Sequence, residues 1–230
     1  MLLEIIALTV ADARAAKLGG ADRLEVVTDI ASDGLTPPAH LVAAIRAEVG
    51  IPQRVMLRDR DGFTVDRERL AELATMAKTL RAAGADEFVL GFLTPDGRVD
   101  LAATETLVSA LDGASWTFHR AIDHATDAES AWPALCALPG LDYVLTAGSA
   151  AGLSEGLPVL ADRADWQDHG VSFIAGGGLR AEHVPDLVAC GVTAIHAGAL
   201  ARPDWHSPVD ADRVRALRDL LDNSVSAMAG

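Results

Sequence analysis

The sequence predicts a single-domain (β/α)8 barrel, the TIM-barrel fold of the α/β class. Eight short runs rich in Val, Ile and Leu recur along the 230 residues, a helical pattern follows each run, and no linker or change of composition divides the chain. An open doubly wound sheet is the weaker alternative, because such sheets rarely need eight units and no Gly-x-Gly-x-x-Gly motif follows the first run. We assign residues 1–223 to the barrel and residues 224–230 to a frayed C-terminal tail.

The apolar runs are the predicted strands, and the segments between them are the predicted helices. Thr9, Asp66 and Asp100 stand where an N-cap is needed, and Gly84 and Gly191 end a helix ahead of the next strand. The strands are expected at residues 2–6, 23–27, 54–58, 87–91, 116–119, 143–146, 172–175 and 194–197. The helices are expected at residues 11–18, 38–49, 67–83, 101–111, 128–138, 155–165, 180–190 and 210–221.

Charge and composition argue against several classes of partner. The formal net charge is −14 and the isoelectric point is near 4.7, so the chain repels nucleic acid and anionic lipid, and no basic cluster offsets this field. The N-terminus lacks a basic segment followed by a long apolar run, and no window approaches the roughly 20 apolar residues of a spanning helix. We expect a cytoplasmic protein that binds neither nucleic acid nor membranes.

The two cysteines, Cys136 and Cys190, lie in predicted helices among Ala, Leu and Val. Cysteine in such a position usually packs as a small hydrophobic residue, and an unpaired thiol suits a reducing compartment. Because the chain has no Cys-x-x-Cys spacing, we expect neither a disulfide nor a thiolate metal site.

The end of the fifth predicted strand carries a group of reactive side chains. The strand stops on His119, and Arg120 and Asp123 follow in the turn. Active sites of barrel enzymes lie at the carboxyl ends of the strands, in the loops that follow them. The pattern therefore predicts a functional site here.

Polar residues also occur at inward positions of several strands. Side chains alternate along a strand, so a polar residue between two helix-facing aliphatic residues faces the barrel axis. A purely structural barrel fills this interior with Val, Ile and Leu. The alternative is that Glu4, Glu25 and Arg58 form a buried charge network that only fills the lower layers. The polar residues expected to converge are Glu4, Glu25, Arg58, His119, Thr146 and His196.

Glycines follow the seventh and eighth predicted strands. Gly176, Gly177 and Gly178 lie in the first of these loops, and Gly198 lies in the second. Glycine lets backbone N–H groups approach an anion closely, and barrels often bind phosphate at this pair of loops. The loops predict an anion site; the alternative is a tight turn that requires positive φ.

Seven segments occur in a characteristic order between residues 3 and 196. They read Ala-Asp-Arg-Leu-Glu (21–25), Asp-Gly-Leu-Thr-Pro (33–37), Val-Met-Leu-Arg (55–58), Gly-Phe-Leu-Thr-Pro-Asp-Gly-Arg-Val-Asp (91–100), Thr-Phe-His-Arg-Ala-Ile-Asp (117–123), Leu-Thr-Ala-Gly (145–148) and Gly-Gly-Gly (176–178). This ordered set resembles the CutC family of copper homeostasis proteins. The resemblance implies a cytoplasmic barrel, a homodimer and a link to copper, which is the only cofactor it suggests.

Two departures from the family pattern bear on copper. The family often carries a cysteine after the Arg-x-Glu of the second strand, where this chain has valines at 26–27, and thiolates are the ligands that Cu(I) prefers. The loop after Arg58 is also shorter than the Pro-Arg-Gly-Gly-Asp-Phe that is usual in the family. Met56, His119 and His196 remain as weaker candidates for metal ligands.

Three functions stay open on these grounds. The first is a copper-responsive or copper-binding protein, with His119 and His196 as ligands and Glu25 nearby. The second is a barrel enzyme, either independent of metal or using a divalent metal, that acts on a small anionic carbonyl or sugar-like compound, phosphorylated or not. The third is a barrel retained as an interaction scaffold, in which the interior charges are structural.

The enzyme hypothesis assigns a role to each candidate residue. Arg58 and Arg120 would hold the anion, and His119 would move a proton as acid or base. Glu25 or Asp123 would set the tautomer of that imidazole. The remaining candidates are assigned to substrate or anion binding, and these are Glu4, Thr146, Gly176, Gly177, Gly178 and Gly198.

Overall fold

The computed structural model describes residues 1–228, except for the side chains of residues 168 and 169. Its strands are β1 (Leu2–Ala7), β2 (Arg23–Val26), β3 (Gln53–Met56), β4 (Glu87–Leu90), β5 (Trp116–Phe118), β6 (Leu141–Thr146), β7 (Ser172–Ala175) and β8 (Ala194–Ala197). Each strand pairs in parallel with its sequence neighbours, and β8 pairs in parallel with β1, which closes the barrel. The predicted (β/α)8 fold is confirmed.

A helix follows each strand over the same described residues. The helices are α1 (Val10–Gly19), α2 (Ala39–Glu48), α3 (Arg67–Ala82), α4 (Leu101–Val108), α5 (Ala128–Cys136), α6 (Leu153–Asp162), α7 (Val184–Ala189) and α8 (Ala211–Met228). Thr9 caps α1 through a capping box with Asp12, and the carboxylates of Asp66 and Asp100 cap α3 and α4. None of these helices is both long and apolar enough to cross a membrane.

Two helix boundaries differ from the prediction. The segment expected to be helical at 180–190 begins with a 3₁₀ turn, Ala181–His183, and the α-helix starts only beside Pro185, which is tolerated in a first helical turn. At the C-terminus, α8 continues to Met228, so residues 224–228 are helical and the prediction of a frayed tail is wrong for them. Neither Gly nor Pro interrupts residues 211–229, and the hydroxyls of Ser224 and Ser226 bond to carbonyls four residues earlier. Residues 229–230 lie outside the described residues.

The main hydrophobic core lies between the barrel and its helices. Leu3, Ile5, Leu24, Val26 and Val55 alternate with polar residues along their strands and are fully buried in this layer. The barrel interior is different, because it combines two small apolar clusters with charged side chains. Polar side chains therefore occupy inward-facing positions on the strands, as the sequence predicted, and they set the chemistry of the barrel interior.

Candidate functional site

A cavity of about 360 Å³ opens where the carboxyl ends of the strands meet their loops. Most of the predicted site residues line it, whereas Glu4, Asp123, Thr146 and Gly176 do not. The predicted residues in the wall are Glu25, Arg58, His119, Arg120, Gly177, Gly178, His196 and Gly198.

Sequence reasoning missed the aromatic part of this wall. Phe63 comes from the loop between β3 and α3, and Trp205 comes from the loop between β8 and α8. A bulky aromatic residue in a loop after a barrel strand is a usable signal, because those loops build the mouth of the barrel. The two rings give the cavity apolar surface beside its charged groups.

His119 follows β5 directly and is held in one orientation. The N–H of Ala121 donates to its Nδ1 at 3.2 Å, so Nδ1 is an acceptor and the neutral ring carries its proton on Nε2. Gly91 leaves room for the ring, because a Cβ there would lie 2.9 Å from Nδ1. Neither predicted carboxylate sets this tautomer; the backbone does.

The Nε2 atom of His119 is buried without a hydrogen-bond partner among residues 1–228. Only 4% of the residue is exposed, and it lines the cavity. Burial, with the positive charge of Arg58, lowers the pKa of His119 to about 3. At neutral pH the ring is therefore uncharged and presents a free N–H donor.

Arg58 has a more structural role than predicted. Its Nε donates to the carbonyl of Gly62 at 3.1 Å, and its Nη1 donates to the carbonyls of Ser32 and Gly34. Burial lowers the pKa of Arg58, and the surrounding aspartates, Asp33 foremost, oppose that change. Because these donors already serve the loop backbone, Arg58 supplies charge to the cavity wall more than free donors.

Asp123 lies outside the cavity and holds Arg120 in place. Its carboxylate accepts from Arg120 Nε at 2.9 Å, from the hydroxyl of Thr146 at 2.6 Å and from the N–H of Ala147 at 2.9 Å. Thr146 was expected to face the axis, but Leu145 takes the inward position on β6, and alternation turns Thr146 away. Asp123 and Thr146 are therefore positioning residues.

The Nε and Nη2 groups of Arg120 are occupied, the latter by the carbonyls of Ser149 and Ala150. The guanidinium packs against Gly177, where a Cβ would lie 2.5 Å from Cζ. A side chain at that position would displace Arg120. The remaining nitrogen, Nη1, is left for a ligand.

The glycines of the two loops have different structural roles. Gly177 and Gly178 have φ of 87° and 73°, as tight turns require, and they line the cavity. Gly198 has an ordinary φ, but a Cβ there would lie 2.3 Å from the Trp205 ring, so this glycine makes room for the aromatic wall. The N–H groups of Gly177, Gly178 and Gly198 donate to no backbone carbonyl of residues 1–228. Gly176 lies below them, against His196.

Glu4, Glu25 and His196 form the cavity floor and the layer beneath it. His196 Nδ1 lies 2.8 Å from Glu4 Oε1, and its Nε2 lies 3.7 Å from Glu25 Oε2. Burial raises the pKa of Glu25 to about 7, an effect that His196 opposes and Glu4 strengthens. Burial also disfavours ionised Glu4, but Arg23 and His196 outweigh it and hold that pKa at about 2. For His196, the two glutamates outweigh burial and raise the pKa.

A second charge network fills the lower interior, and its arginines were not predicted. Arg23 Nε donates to Glu4 at 2.5 Å, and Arg54 pairs with Glu87 at 2.7 Å and with Asp142 at 2.5 Å. Glu4 is thus part of the lower network and also contacts His196, whereas Glu25 and Arg58 belong to the cavity wall. The sequence could have identified these arginines, because Arg23 and Arg54 stand an even number of residues before Glu25 and Arg58. Residues at even spacing on a strand face the same side of the sheet.

The donor set fits Cu(I) poorly. Cys136 ends α5 and Cys190 follows α7, both outside the cavity wall, and burial raises the pKa of Cys136 to about 11. Met56 offers the cavity a thioether. Among the described residues, the acidic and imidazole groups close enough to share an ion are those of Glu4, Glu25 and His196, whose ligand atoms lie within 4.8 Å of one another.

These features define a TIM barrel with a pocket at the carboxyl ends of its strands, lined by both charged and apolar side chains. Comparison with known proteins adds the family. The model of the CutC family matches residues 1–201. A CutC family protein of Agrobacterium fabrum is 36% identical over 205 residues, which cover 88% of this chain and 81% of that protein. A second, from Xylella fastidiosa strain Temecula1, is 33% identical over 241 residues, which cover 97% and 90% of the two chains.

A solved structure agrees with these relatives. The crystal structure of CutC from Streptococcus agalactiae, whose name links that protein to copper homeostasis, has a TM-score of 0.79 and 26% identity to this chain. The match covers 86% of this chain and 98% of that one. The protein described here belongs to the CutC family.

Proposed function

We propose that this chain is a barrel enzyme that acts on a small anionic compound, phosphorylated in the simplest case, which contains a carbonyl or hydroxyl oxygen at the reacting centre. The observation that carries the proposal is the buried Nε2–H of His119, a residue that lines the cavity and whose Nε2 has no partner among residues 1–228. A buried donor without an acceptor is costly, so a site that retains one fits a ligand oxygen.

The expected chemistry follows from the protonation state of this ring. With a pKa near 3, His119 is neutral at pH 7 and acts as a hydrogen-bond donor that polarises the substrate oxygen, rather than as a cationic acid. The predicted acid/base role thus becomes that of a neutral donor in this proposal. Arg58 adds positive potential at the same wall.

The anionic end of the substrate would lie at the glycine loops. The N–H groups of Gly177, Gly178 and Gly198 and the free Nη1 of Arg120 offer donors to a phosphate. The aromatic rings of Phe63 and Trp205 would cover the apolar part of the molecule. The partners proposed are therefore small molecules; the homodimer and the cytoplasmic location stay predictions from the family.

Thermal unfolding with inorganic phosphate tests the anion site. Phosphate at 100 times its dissociation constant should stabilise the protein by about 2.7 kcal/mol. Arg120→Gln should weaken this response, whereas Arg67→Gln, which removes the same charge from an exposed position on α3, should not. Equal responses in both variants would place the anion elsewhere.

A panel of small phosphorylated carbonyl compounds tests the role of His119. Any compound turned over by the wild type should lose turnover in His119→Asn while phosphate binding persists. If turnover is unchanged in His119→Asn, the ring is not the polarising donor.

Copper handling is the second candidate function. It is favoured by the name of the Streptococcus agalactiae relative and by the presence of Met56 and His196 in one cavity wall. We expect weak or absent Cu(I) binding, because the cysteines lie outside the cavity. Anaerobic titration against a competing Cu(I) chelator measures this. Tight binding of one Cu(I) that is lost in the Cys136→Ser, Cys190→Ser variant would contradict our interpretation of the thiols.

A further inference from the structure

His196 is oriented as metal-binding histidines usually are. One ring nitrogen, Nδ1, lies 2.8 Å from Glu4 Oε1, and Arg23 Nε holds the other oxygen of Glu4 at 2.5 Å. The Glu4 carboxylate, which is paired with Arg23, accepts the Nδ1 proton and fixes the tautomer of the ring. A carboxylate that accepts from one imidazole nitrogen leaves the other nitrogen as a basic ligand. In His196 that second nitrogen, Nε2, lies 3.7 Å from Glu25 Oε2, and both residues line the cavity.

Glu25 supplies a second observation, separate from the orientation of His196, that points to a bound cation. It is 3% exposed, its Oε1 has no hydrogen-bond partner among residues 1–228, and its Oε2 lies 3.7 Å from His196 Nε2. Two ligand atoms that each bind a cation at about 2.0–2.2 Å stand between 3 and 4 Å apart at tetrahedral or wider angles, by simple geometry from those bond lengths. The gap between these two atoms therefore has the size of a shared ion.

We infer that the cavity floor is a binding site for a divalent first-row transition cation, held by His196 Nε2 and the Glu25 carboxylate and oriented by Glu4. The other coordination positions face the cavity and are filled by water or by a ligand. An imidazole and a carboxylate suit Zn²⁺ and similar ions, whereas Cu(I) prefers sulfur ligands. This inference is independent of the function proposed above, because metal binding is measured without a substrate.

His119 is excluded from this ligand set by its own hydrogen bond. Its Nδ1 accepts from Ala121, so its Nε2 carries the proton and has no lone pair for a metal. The prediction that His119 and His196 act together as metal ligands is therefore replaced by a site that contains only His196. His119→Asn becomes a matched control within the same cavity.

Isothermal titration of the chelator-treated protein with Zn²⁺ tests the site. Excess Mg²⁺ occupies the surface carboxylates of this acidic chain. We expect one Zn²⁺ per chain. His196→Gln and Glu25→Gln should abolish binding, and Glu4→Gln should weaken it by about 10–100-fold, as loss of a residue that orients a ligand does. His40→Gln, at an exposed histidine on α2, and His119→Asn should bind as the wild type does.

Two results would overturn the inference. The first is no Zn²⁺ binding by the wild type, and the second is equal binding by His196→Gln and His40→Gln. Thermal melts of each metal-free variant show whether it folds. If His196→Gln unfolds, the near-isosteric Glu25→Gln decides, and the Co²⁺ absorption spectrum of the wild type decides with it: a spectrum without imidazole ligation contradicts the site.

Discussion

Arg54 and His119 are both buried in the barrel interior, but their polar atoms meet different surroundings. Each nitrogen group of Arg54 has an acceptor, in Glu87, Thr117 or Asp142. The Nε2 of His119 has none among residues 1–228. Both residues face the interior, so the difference shows that Arg54 is held by its own partners, whereas His119 leaves a donor available to a ligand.

The comparison extends to the two histidines of the cavity. His196 donates from Nδ1 to a carboxylate, which leaves Nε2 basic, whereas His119 accepts at Nδ1 from a backbone N–H, which leaves Nε2 a donor. One residue type thus supplies a ligand in one place and a proton donor in the other. The partner of Nδ1 decides which role is available.

The largest effect is expected in the lower layer. Arg54→Met should lower the free energy of unfolding by about 3 kcal/mol, because removal of one partner leaves buried charge uncompensated. Glu87 and Asp142 are partly exposed and regain some hydration, which keeps the loss at the lower end of the range. Urea unfolding of the variant and the wild type measures it.

Two further variants sharpen this result. Arg67→Met, at an exposed position, should change stability by less than about 0.5 kcal/mol. The double change Arg54→Met, Glu87→Gln should be less destabilised than the sum of the single changes, because the two residues share one ion pair. Strict additivity would mean that Arg54 acts through packing alone.

An intermediate effect is expected for His119 as a function of pH. Its pKa falls from about 6.5 in the unfolded chain to about 3 in the native protein, so between these values the unfolded state binds a proton that the native state does not. Stability contributed by the neutral ring is therefore present above pH 6.5 and lost as the pH falls.

As the pH falls through this window, the difference in unfolding free energy between the wild type and His119→Asn should decrease by about 1.4 kcal/mol per pH unit. Denaturant melts at several pH values between 4 and 7 measure it, and the other titrating groups cancel in the difference. Parallel curves for the two proteins would show that His119 keeps a normal pKa and is not buried as described.

The fold could be predicted from the sequence because its signals are local and repeated. The β7 and β8 bounds agree with the prediction, and Thr9, Asp66 and Asp100 cap the helices as expected. The site was predicted less completely, because alternation along a strand predicts which face a side chain occupies but not which residue it contacts. Thr146 and Asp123 bind each other outside the cavity, which depends on a contact between residues 23 positions apart.

The protonation states could not be predicted at all. The sequence places His119 and His196 at strand ends, but their opposite roles depend on the N–H of Ala121 and on the carboxylate of Glu4, which is 192 residues away from His196. Burial of the whole interior then sets the pKa values. Such facts arise from the closed barrel rather than from any local pattern.

The smallest expected effect separates two roles of His119: its Nδ1 caps a turn, and its Nε2–H can donate to a ligand. Nδ1 caps the short 3₁₀ turn Arg120–His124, and asparagine at the same position can accept from Ala121 through its side-chain oxygen. His119→Ala should therefore be about 1 kcal/mol less stable than His119→Asn, whereas both should lose turnover equally, because neither carries the Nε2–H. Urea melts of the two variants give the stability difference, and assays with any compound turned over by the wild type give the second comparison. If both variants are destabilised by about 3 kcal/mol or more, as large cavities in a packed core are, the ring is a structural element and the scaffold hypothesis gains support.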